Sequence, residues 1–284
     1  MRNTGIFFHY QVGERLSDFP EALEGLLSLD NVLFYDALYP GKPRTTQDLD
    51  PIPMEMLEQV HTKGMIERVI TSGVFDGALY SAAGTVWASK KVWEGEIDNA
   101  FVFTGYGDHH AGLDSFGGGC YFNGAAVAIH QLRSHFGVNR VAIVDTDAHH
   151  GNGTWEIFEN DPETLYTCLC TGEYQETNNK LNIRVPSRVS DDEYLKLLRD
   201  GALRRVEDFQ PEVLFWNWGF DGTQGDYGDI GITSGSHVRM AQGLRYAADK
   251  LCQGRLIVVL CGGRQRIVAR SVIPKIIKIL ANDQ

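Results

Sequence analysis

The sequence predicts an α/β fold in which one mainly parallel, doubly wound sheet carries helices on both faces. Short continuous apolar runs, typical of strands that are buried on both sides, alternate with segments whose apolar residues recur every three or four positions. Glycine and polar residues directly follow most of the apolar runs, which indicates tight turns at the strand ends. A chain of 284 residues with 43% hydrophobic composition can bury such a core.

Five runs are predicted to be strands and five segments to be helices. The predicted strands are residues 100–104, 141–144, 165–169, 213–218 and 256–260. The predicted helices are residues 55–71, 78–94, 123–136, 192–208 and 235–252. Thr233 or Ser234 is placed to cap the last helix. Since ligands of such sheets bind outside the carboxyl ends of the strands, the polar clusters after four of these strands predict one shared site.

The composition of the chain indicates which classes of binding partner and which cellular compartment to expect. A net charge of −11 argues against a nucleic-acid partner, whereas an acidic surface favours a cationic substrate or simply aids solubility. The sequence contains no apolar run that could span a membrane and no signal-peptide pattern at its start, so we expect no membrane partner. The five cysteines lack a CxxC pair and fit reduced thiols, which predicts a cytoplasmic protein. Homo-oligomerisation is left open.

The segment VAIVDTDAHHGNG at residues 141–153 is the most informative part of the chain. In an extended backbone alternate side chains share one side, so Asp145, Asp147 and His149 tend to gather where the strand ends. Oxygen and nitrogen ligands without thiolate suit a catalytic Zn²⁺ or a similar divalent ion. Asp221 follows another apolar strand among glycines and is the best-placed third ligand after Asp147 and His149.

A histidine pair lies on a glycine-flanked loop after the strand at residues 100–104. His109 and His110 can supply the general base and the general acid that hydrolysis at a metal requires. Asp145 and Asn152 are candidates for the partners that set the tautomers of these two imidazoles. Each motif alone has an ordinary structural interpretation, such as a loop histidine or a turn aspartate. Their conjunction is far more specific than any one of them.

Together these residues resemble the zinc-dependent histone deacetylase family, which includes acetoin-utilisation proteins and acetylpolyamine amidohydrolases. The resemblance covers nearly the whole chain. It is carried by VHT at residues 60–62, IERV at 66–69, EGEIDNAF at 94–101, HHA at 109–111, CYFN at 120–123, DTDAHHGNG at 145–153 and GFD at 219–221.

The resemblance implies an arginase-like fold and a single deacetylase-like catalytic domain over residues 1–284. It implies one Zn²⁺ per chain, bound by Asp147, His149 and Asp221, and His109 with His110 as the acid/base pair. It also implies that Asp145 and Asn152 are the partners that hydrogen-bond to these two imidazoles and orient them. A structural K⁺ is often present in the family, which here would lie near Asp145, Asp147 and the strand carrying Cys168. The implied reaction is hydrolysis of an acyl-amide to an amine and a carboxylate.

The chain departs from the family pattern at the glycine turn LCGGRQ, residues 260–265. Arg264 stands where the family has a tyrosine whose hydroxyl polarises the substrate carbonyl. A guanidinium could stabilise the oxyanion, or it could bind a substrate carboxylate bidentately. The change could also mean that ordinary deacetylation is lost. Tyr106, Tyr174 and Tyr227 lie on predicted loops near the site and are candidates to replace the phenol.

Two further departures concern the walls of the substrate tunnel. Gly119 stands where the family usually has an aromatic residue, so a wider wall is expected there unless Phe116 fills the gap. The loop at residues 170–177 is shorter than usual, and it carries Tyr174 as a candidate substrate contact. Cys168 replaces a common serine and weakens the case for K⁺.

We expect a zinc-dependent amidohydrolase that acts on an acyl-amide of a lysine, a polyamine or another small amine, with an unusual substrate. One alternative is an acyl-group binding or regulatory protein that keeps the metal cage and has lost catalysis. The other is a binuclear manganese ureohydrolase, for which His150 stands where a further bridging carboxylate would help.

Overall fold

A computed structural model describes residues 2–12, 23, 25–26, 28–35 and 50–282. Within these ranges one sheet has the strand order β2-β1-β3-β9-β8-β4-β5-β7-β6. Neighbouring strands run parallel except for β6 and β7. The strands are β1 Thr4–Phe7, β2 Val32–Tyr35, β3 Asn99–Phe103, β4 Val141–Asp145, β5 Thr164–Cys170, β6 Gln175–Thr177, β7 Lys180–Arg184, β8 Val213–Gly219 and β9 Leu256–Gly262. The predicted mainly parallel sheet is confirmed.

Helices occupy most of the connections between the strands. They are α1 Met54–Leu57, α2 Lys63–Thr71, α3 Phe75–Glu94, α4 Gly124–Phe136, α5 Asn152–Phe158, α6 Asp191–Leu197, α7 Arg204–Phe209, α8 Ser234–Leu251 and α9 Arg266–Ala281. A π-helical stretch, Leu198–Leu203, joins α6 to α7. Thr233 is the residue that caps α8, as its hydroxyl accepts a hydrogen bond from Gly235 N. No helix in the described part of the chain is both long and apolar enough to cross a membrane.

The predicted helix at residues 55–71 is wrong as a single element. The chain leaves α1 after Leu57, and Thr62 begins α2 with a side-chain cap on Met65 N at 3.1 Å. The backbone N–H of Thr62 donates to Leu113 O at 2.8 Å instead of continuing the helix. A cap and a long-range hydrogen bond therefore override the apolar periodicity, which runs through both helices.

The sheet separates two hydrophobic cores. On β4, Ala142 and Val144 belong to one core, whereas Val141 and Ile143 belong to the other. Both faces of this strand are thus fully buried, which explains its continuous apolar sequence. The pairing of β8 with β9 is regular up to Trp218 and then shifts in register at Gly219. This irregularity lies at the carboxyl edge of the sheet. Because these strands run parallel, the polar segments that follow them meet at that edge.

His237 on α8 is buried in a fixed hydrogen-bond chain. Its Nδ1 accepts from Trp218 Nε1 at 3.1 Å, and its Nε2 lies 2.8 Å from the hydroxyl of Thr223. That hydroxyl in turn donates to Phe220 O at 2.7 Å, so Nε2 carries the proton and the imidazole is neutral. Burial lowers the pKa of His237 from 6.5 to about 4, against a smaller opposing effect of Asp191.

We expect this histidine to make the fold sensitive to acid. The lowered pKa means that its stabilisation is complete above pH 6.5 and is lost as the pH falls towards 4. The free energy of unfolding should fall by about 1.4 kcal/mol per pH unit from this one group. Urea unfolding at several pH values should show a shallower pH dependence for His237→Asn than for the wild type. An unchanged slope would contradict the assignment.

Candidate metal centre

Asp147, His149 and Asp221 come together at the carboxyl ends of β4 and β8, as predicted. One ligand atom of each lies within 4.8 Å of the others. His149 Nδ1 is 3.0 Å from Asp147 Oδ1 and 2.8 Å from Asp221 Oδ2. Both carboxylates are buried, whereas the imidazole is partly exposed. Two carboxylate oxygens and an imidazole nitrogen lie close enough together to hold a metal ion, and they are of the ligand types that catalytic zinc takes.

The buried oxygens fit a bound cation better than they fit the protein alone. Asp221 Oδ2 is buried, and its one contact among the described residues is the ion pair with His149 Nδ1 at 2.8 Å. Burial, followed by the nearby charge of Asp147, raises the pKa of Asp221. A divalent cation would satisfy the orphaned oxygen and remove this repulsion. The donor set therefore fits Zn²⁺ or a similar divalent ion.

Three glycines form a cradle around these carboxylates, and we call Gly219, Gly228 and Gly262 the glycine cradle. A Cβ at Gly219 or Gly262 would lie closer than 3.0 Å to Asp147 Oδ2. A Cβ at Gly228 would come equally close to Asp221 Oδ2. Real Cβ atoms essentially never make such contacts. The absence of side chains at these three positions keeps the backbone close to the ligand oxygens.

His109 is held by Asp145 deep in the protein. Its Nδ1 lies 2.8 Å from Asp145 Oδ2, which also accepts a hydrogen bond from the Tyr166 hydroxyl at 2.8 Å. Asp145 Oδ1 accepts from Asp147 N at 3.1 Å, so neither oxygen of Asp145 is free. Burial opposes protonation of His109, but the charges of Asp145 and Asp147 outweigh it and raise its pKa to about 9. Asp145 therefore holds the imidazole of His109. Because both of its oxygens already take part in hydrogen bonds, it is placed as a partner of His109 and not as a metal ligand.

His110 has a different environment although it is the adjacent residue. Its Nδ1 lies 2.8 Å from Asn152 Oδ1, at the start of α5. The uncharged amide oxygen of Asn152 accepts a hydrogen bond from the ring and orients it, and this contact raises the pKa of His110 by less than burial lowers it. Burial and the neighbouring His109 lower the pKa of His110. The two rings lie 4.1 Å apart, yet their pKa values are shifted in opposite directions.

A cavity of about 510 Å³ opens beside the candidate metal ligands, from which Gly262 and Tyr227 separate it. Arg264, Tyr227 and Gly119 line it together with the turn that follows β9. Gly118 and Gly119 adopt positive φ angles of 59° and 86°, and a Cβ at Gly118 would meet the His110 ring. The wall at Gly119 therefore carries no side chain. Phe116 lines a separate small cavity on the His110 side, where it packs against Tyr121 at 5.3 Å.

Arg264 and Tyr227 meet at the mouth of this cavity. The guanidinium of Arg264 lies 5.0 Å from the centre of the Tyr227 ring, and its side chain is exposed. The Tyr227 ring stacks on the His149 ring with centroids 5.5 Å apart. Its hydroxyl oxygen would come closer than 3.0 Å to a Cβ at Gly262, as Asp147 Oδ2 would. Burial, then Asp221 and Asp147, raise the pKa of Tyr227.

The other two candidate tyrosines lie elsewhere. Tyr174 is 61% exposed, and its hydroxyl donates to Glu176 at 2.6 Å, so the structure does not bring it to the cavity. Tyr106 is buried, with its ring pressed against Gly77 on α3. Of the three candidate tyrosines, Tyr227 is the one that lines the cavity.

Two thiols on β5 lie near the candidate metal ligands. Cys168 and Cys170 are fully buried, as predicted for a strand, and Cys168 Sγ lies 3.7 Å from His149 O. Cys170 Sγ and His150 Nδ1 both contact Asn182 Oδ1, at 3.0 and 3.2 Å. The side chains that β5 and β7 place near His149 and His150 are therefore thiols and an amide, and not the charged oxygens that a hard cation prefers.

Sequence reasoning missed Asp226, which organises the mouth of the cavity. Its Oδ2 accepts hydrogen bonds from the backbone of Arg264 and Gln265, both at 2.9 Å, and its Oδ1 accepts from Tyr227 N at 2.8 Å. The only signal was its place in an acidic, glycine-rich loop after Asp221. That pattern is common to many turns, so the signal is weak.

The comparisons with known proteins agree on one family. The family described as histone deacetylase domain matches residues 44–280. A probable deacetylase of Archaeoglobus fulgidus is 29% identical over 291 residues, covering 92% of this chain and 81% of the relative. A histone deacetylase-like amidohydrolase of Pseudomonas aeruginosa is 32% identical over 209 residues, covering 68% of this chain and 55% of the relative.

The fold agrees with a solved structure as well. The crystal structure of the HDA15 HD domain matches with a TM-score of 0.84 at 24% identity, covering 99% of this chain and 90% of that chain. Several plant and yeast histone deacetylases are longer, and the match spans between 32% and 55% of their length. The predicted family is confirmed: this chain belongs to the histone deacetylase family of hydrolases, which act on amide bonds.

Proposed function

We propose that this protein is a metal-dependent amidohydrolase that cleaves an acyl-amide of a lysine, a polyamine or another small amine. The observation that carries the proposal is the placement of Asp147, His149 and Asp221 next to two imidazoles with opposite pKa shifts. We propose that one Zn²⁺ per chain is held by these three residues and that residues 1–284 form one catalytic domain. We also propose that the protein is cytoplasmic.

The protein's own residues divide the work of hydrolysis. When bound, the metal ion supplies Lewis acidity, which activates water and polarises the substrate carbonyl. His110, whose pKa is lowered, is neutral and takes the proton of the attacking water. His109, whose pKa is raised by Asp145 and Asp147, remains cationic and favours the negative charge that develops on the carbonyl oxygen. The proton then passes from His110 to the leaving amine.

Asp145 and Asn152 act by holding the two imidazoles. Asp145 fixes the Nδ1 proton of His109, so that Nε2 faces Asp147 at 3.8 Å. Asn152 fixes the Nδ1 of His110 and leaves its other nitrogen for the reaction. Such outer partners set tautomer and basicity. A structural K⁺ near Asp145 and Asp147 is a weaker proposal, because the thiol of Cys168 is a softer donor than the hard oxygens that alkali cations prefer.

Arg264 is a cationic side chain at the cavity mouth that could recognise the substrate. The guanidinium is exposed at the cavity mouth, and no ion pair or side-chain hydrogen bond holds it within the described ranges. Its planar fork matches a carboxylate bidentately. We propose that Arg264 binds a carboxylate or another anionic group of the substrate. Gly119 leaves room opposite it for such a substrate, since that wall has no side chain.

A substrate panel tests the function and the role of Arg264 together. Lysine and polyamine amides with acetyl, longer alkyl and carboxylated acyl groups should be offered to enzyme whose zinc content has been measured. We expect carboxylated acyl-amides to be hydrolysed best. Arg264→Leu should raise their KM by roughly 10-fold to 100-fold, which corresponds to the loss of a charge-assisted pair. The same variant should leave neutral acyl-amides nearly unaffected.

Two outcomes would count against these proposals separately. If the wild type binds zinc and hydrolyses nothing in the panel, the chain is a binding protein that keeps the metal cage. If neutral and carboxylated substrates respond alike to Arg264→Leu, the anion site is wrong and the amidohydrolase stands. Arg270→Leu on α9 is a matched control, because it removes an exposed arginine that does not line the cavity.

A further inference from the structure

Amide hydrolysis places a negative charge on the former carbonyl oxygen, and that oxygen needs a donor aimed at it. The turn after β9 ends in Arg264, whose guanidinium lies over the Tyr227 ring and is exposed. Arg264 and Tyr227 both line the mouth of the cavity, and Tyr227 is itself 52% exposed. The group that reaches inward is the Tyr227 hydroxyl, which comes from a different loop, between β8 and α8.

The position of the hydroxyl follows from three contacts. The Tyr227 ring stacks on the ring of His149 at 5.5 Å, which places the phenol beside a proposed metal ligand. The Tyr227 oxygen and Asp147 Oδ2 both lie within 3.0 Å of the point where Gly262 would carry a Cβ. The phenol oxygen is therefore close to the carboxylate at the centre of the site, and Gly262 leaves the space between them open.

The hydroxyl proton is available for donation. The backbone N–H of Gly263 donates to the Tyr227 oxygen at 3.1 Å, so this contact uses a lone pair and not the proton. In the described part of the chain no acceptor takes the hydroxyl proton in return. A phenol that accepts on one side and faces a cavity on the other is oriented to donate to a ligand in that cavity.

The loop that carries Tyr227 is fixed from both sides. Asp226 accepts from Tyr227 N with one oxygen and from the backbone of Arg264 and Gln265 with the other. Immediately after the tyrosine, Gly228 N donates to Asp221 O at 3.2 Å. The phenol is thereby tied to the metal-binding loop and to the turn after β9. Such preorganisation is what a donor to a developing charge requires.

We propose that Tyr227 is a catalytic residue whose hydroxyl donates a hydrogen bond to the oxyanion of the tetrahedral intermediate. The inference rests on the proposed amidohydrolase function. During the reaction the C–N bond breaks, a C–O bond forms from water, and the water proton reaches the amine through His110. The Tyr227 proton stays on its own oxygen throughout. Tyr227 therefore supplies from the β8–α8 loop the phenol that the turn at Arg264 lacks.

The test is Tyr227→Phe, which removes the hydroxyl and keeps the ring on His149. We expect kcat to fall by about 10²–10³-fold with KM changed little, as for loss of one oxyanion donor. Zinc content and the thermal midpoint should match those of the wild type, because the ring stack remains. Tyr246→Phe on α8 removes a phenol outside the site that is 60% exposed, against 52% for Tyr227, and it should be neutral.

The outcomes separate this inference from the proposed function. If the wild type hydrolyses acyl-amides and Tyr227→Phe retains its kcat, the phenol is not the donor, while the amidohydrolase remains. If the loss appears only in KM, Tyr227 positions the substrate and does not stabilise the oxyanion, which also overturns the inference. If no acyl-amide is hydrolysed by the wild type, the proposed function fails and this inference fails with it.

Discussion

His110→Ala is expected to lower kcat by about 10²–10⁴-fold, the usual contribution of a general base. The physical reason is that His110 is the neutral member of the histidine pair, since burial and His109 lower its pKa. Its Nδ1 is fixed by Asn152 at 2.8 Å, which leaves the other nitrogen to accept a proton. Steady-state kinetics on the best substrate of the panel, together with zinc content, measure this effect.

Matched variants show whether the loss is chemical. His130→Ala on α4 removes an exposed imidazole outside the site and should leave kcat unchanged. Asn152→Ala should give a smaller loss of about 10–100-fold, as is typical for an outer partner of a catalytic group. All three variants should bind zinc as the wild type does. A His110→Ala enzyme with full kcat would show that the proton passes through another group.

Asp221→Asn is expected to abolish zinc binding and, with it, hydrolysis. The substitution keeps the shape of the side chain and the hydrogen bond from Ala148 N to the Oδ1 position at 3.1 Å. It removes the charge on Oδ2, the buried oxygen that has no hydrogen-bond partner within the described residues. Metal analysis should fall from about one zinc per chain to a small fraction of that. Asp192→Asn, at an exposed carboxylate paired with Arg239, is the control.

The same variant should have the opposite effect on the metal-free protein. Burial and Asp147 raise the pKa of Asp221, so its ionised form destabilises the fold. For a carboxyl with a raised pKa, stability is present at low pH and is lost as the pH rises through the folded value. At pH 8 and in chelator, Asp221→Asn should therefore melt at a higher temperature than the wild type. With zinc added, the order should reverse, because only the wild type gains binding energy.

A result with the same order in both conditions would contradict a metal site at this position. It would indicate that Asp221 is a structural residue whose loss affects packing alone. Differential scanning fluorimetry with and without zinc distinguishes the two cases.

The parts of the site that follow strands could be predicted from the sequence. Asp147 and Asp221 come directly after buried apolar runs, and parallel strands bring their carboxyl ends to one edge. His109 and Asp145 could be paired for the same reason, since β3 and β4 end at that edge. Local pattern and sheet geometry are sufficient for these residues.

The substrate side could not be predicted in the same way. The sequence offered three tyrosines for the missing phenol and gave no means of choosing among them. The choice depends on Asp226, which binds the backbone of Arg264 and Gln265 across 38 and 39 residues of chain. The outer strands β1, β2, β6 and β7 were missed for a related reason. They are short, and β6 is exposed along its whole length, so the apolar pattern is weak.

The hydrogen bonds from the turn after β9 to Asp226 bear on which side chains position 264 can carry. Asp226 holds the main chain at positions 264 and 265, and the side chain of Arg264 takes no part in that support. The side chain at this position is therefore interchangeable, in the sense that another residue can occupy it while the turn keeps its shape. If the proposed function holds, a single substitution at position 264 should change substrate preference while the turn and the candidate metal ligands stay in place.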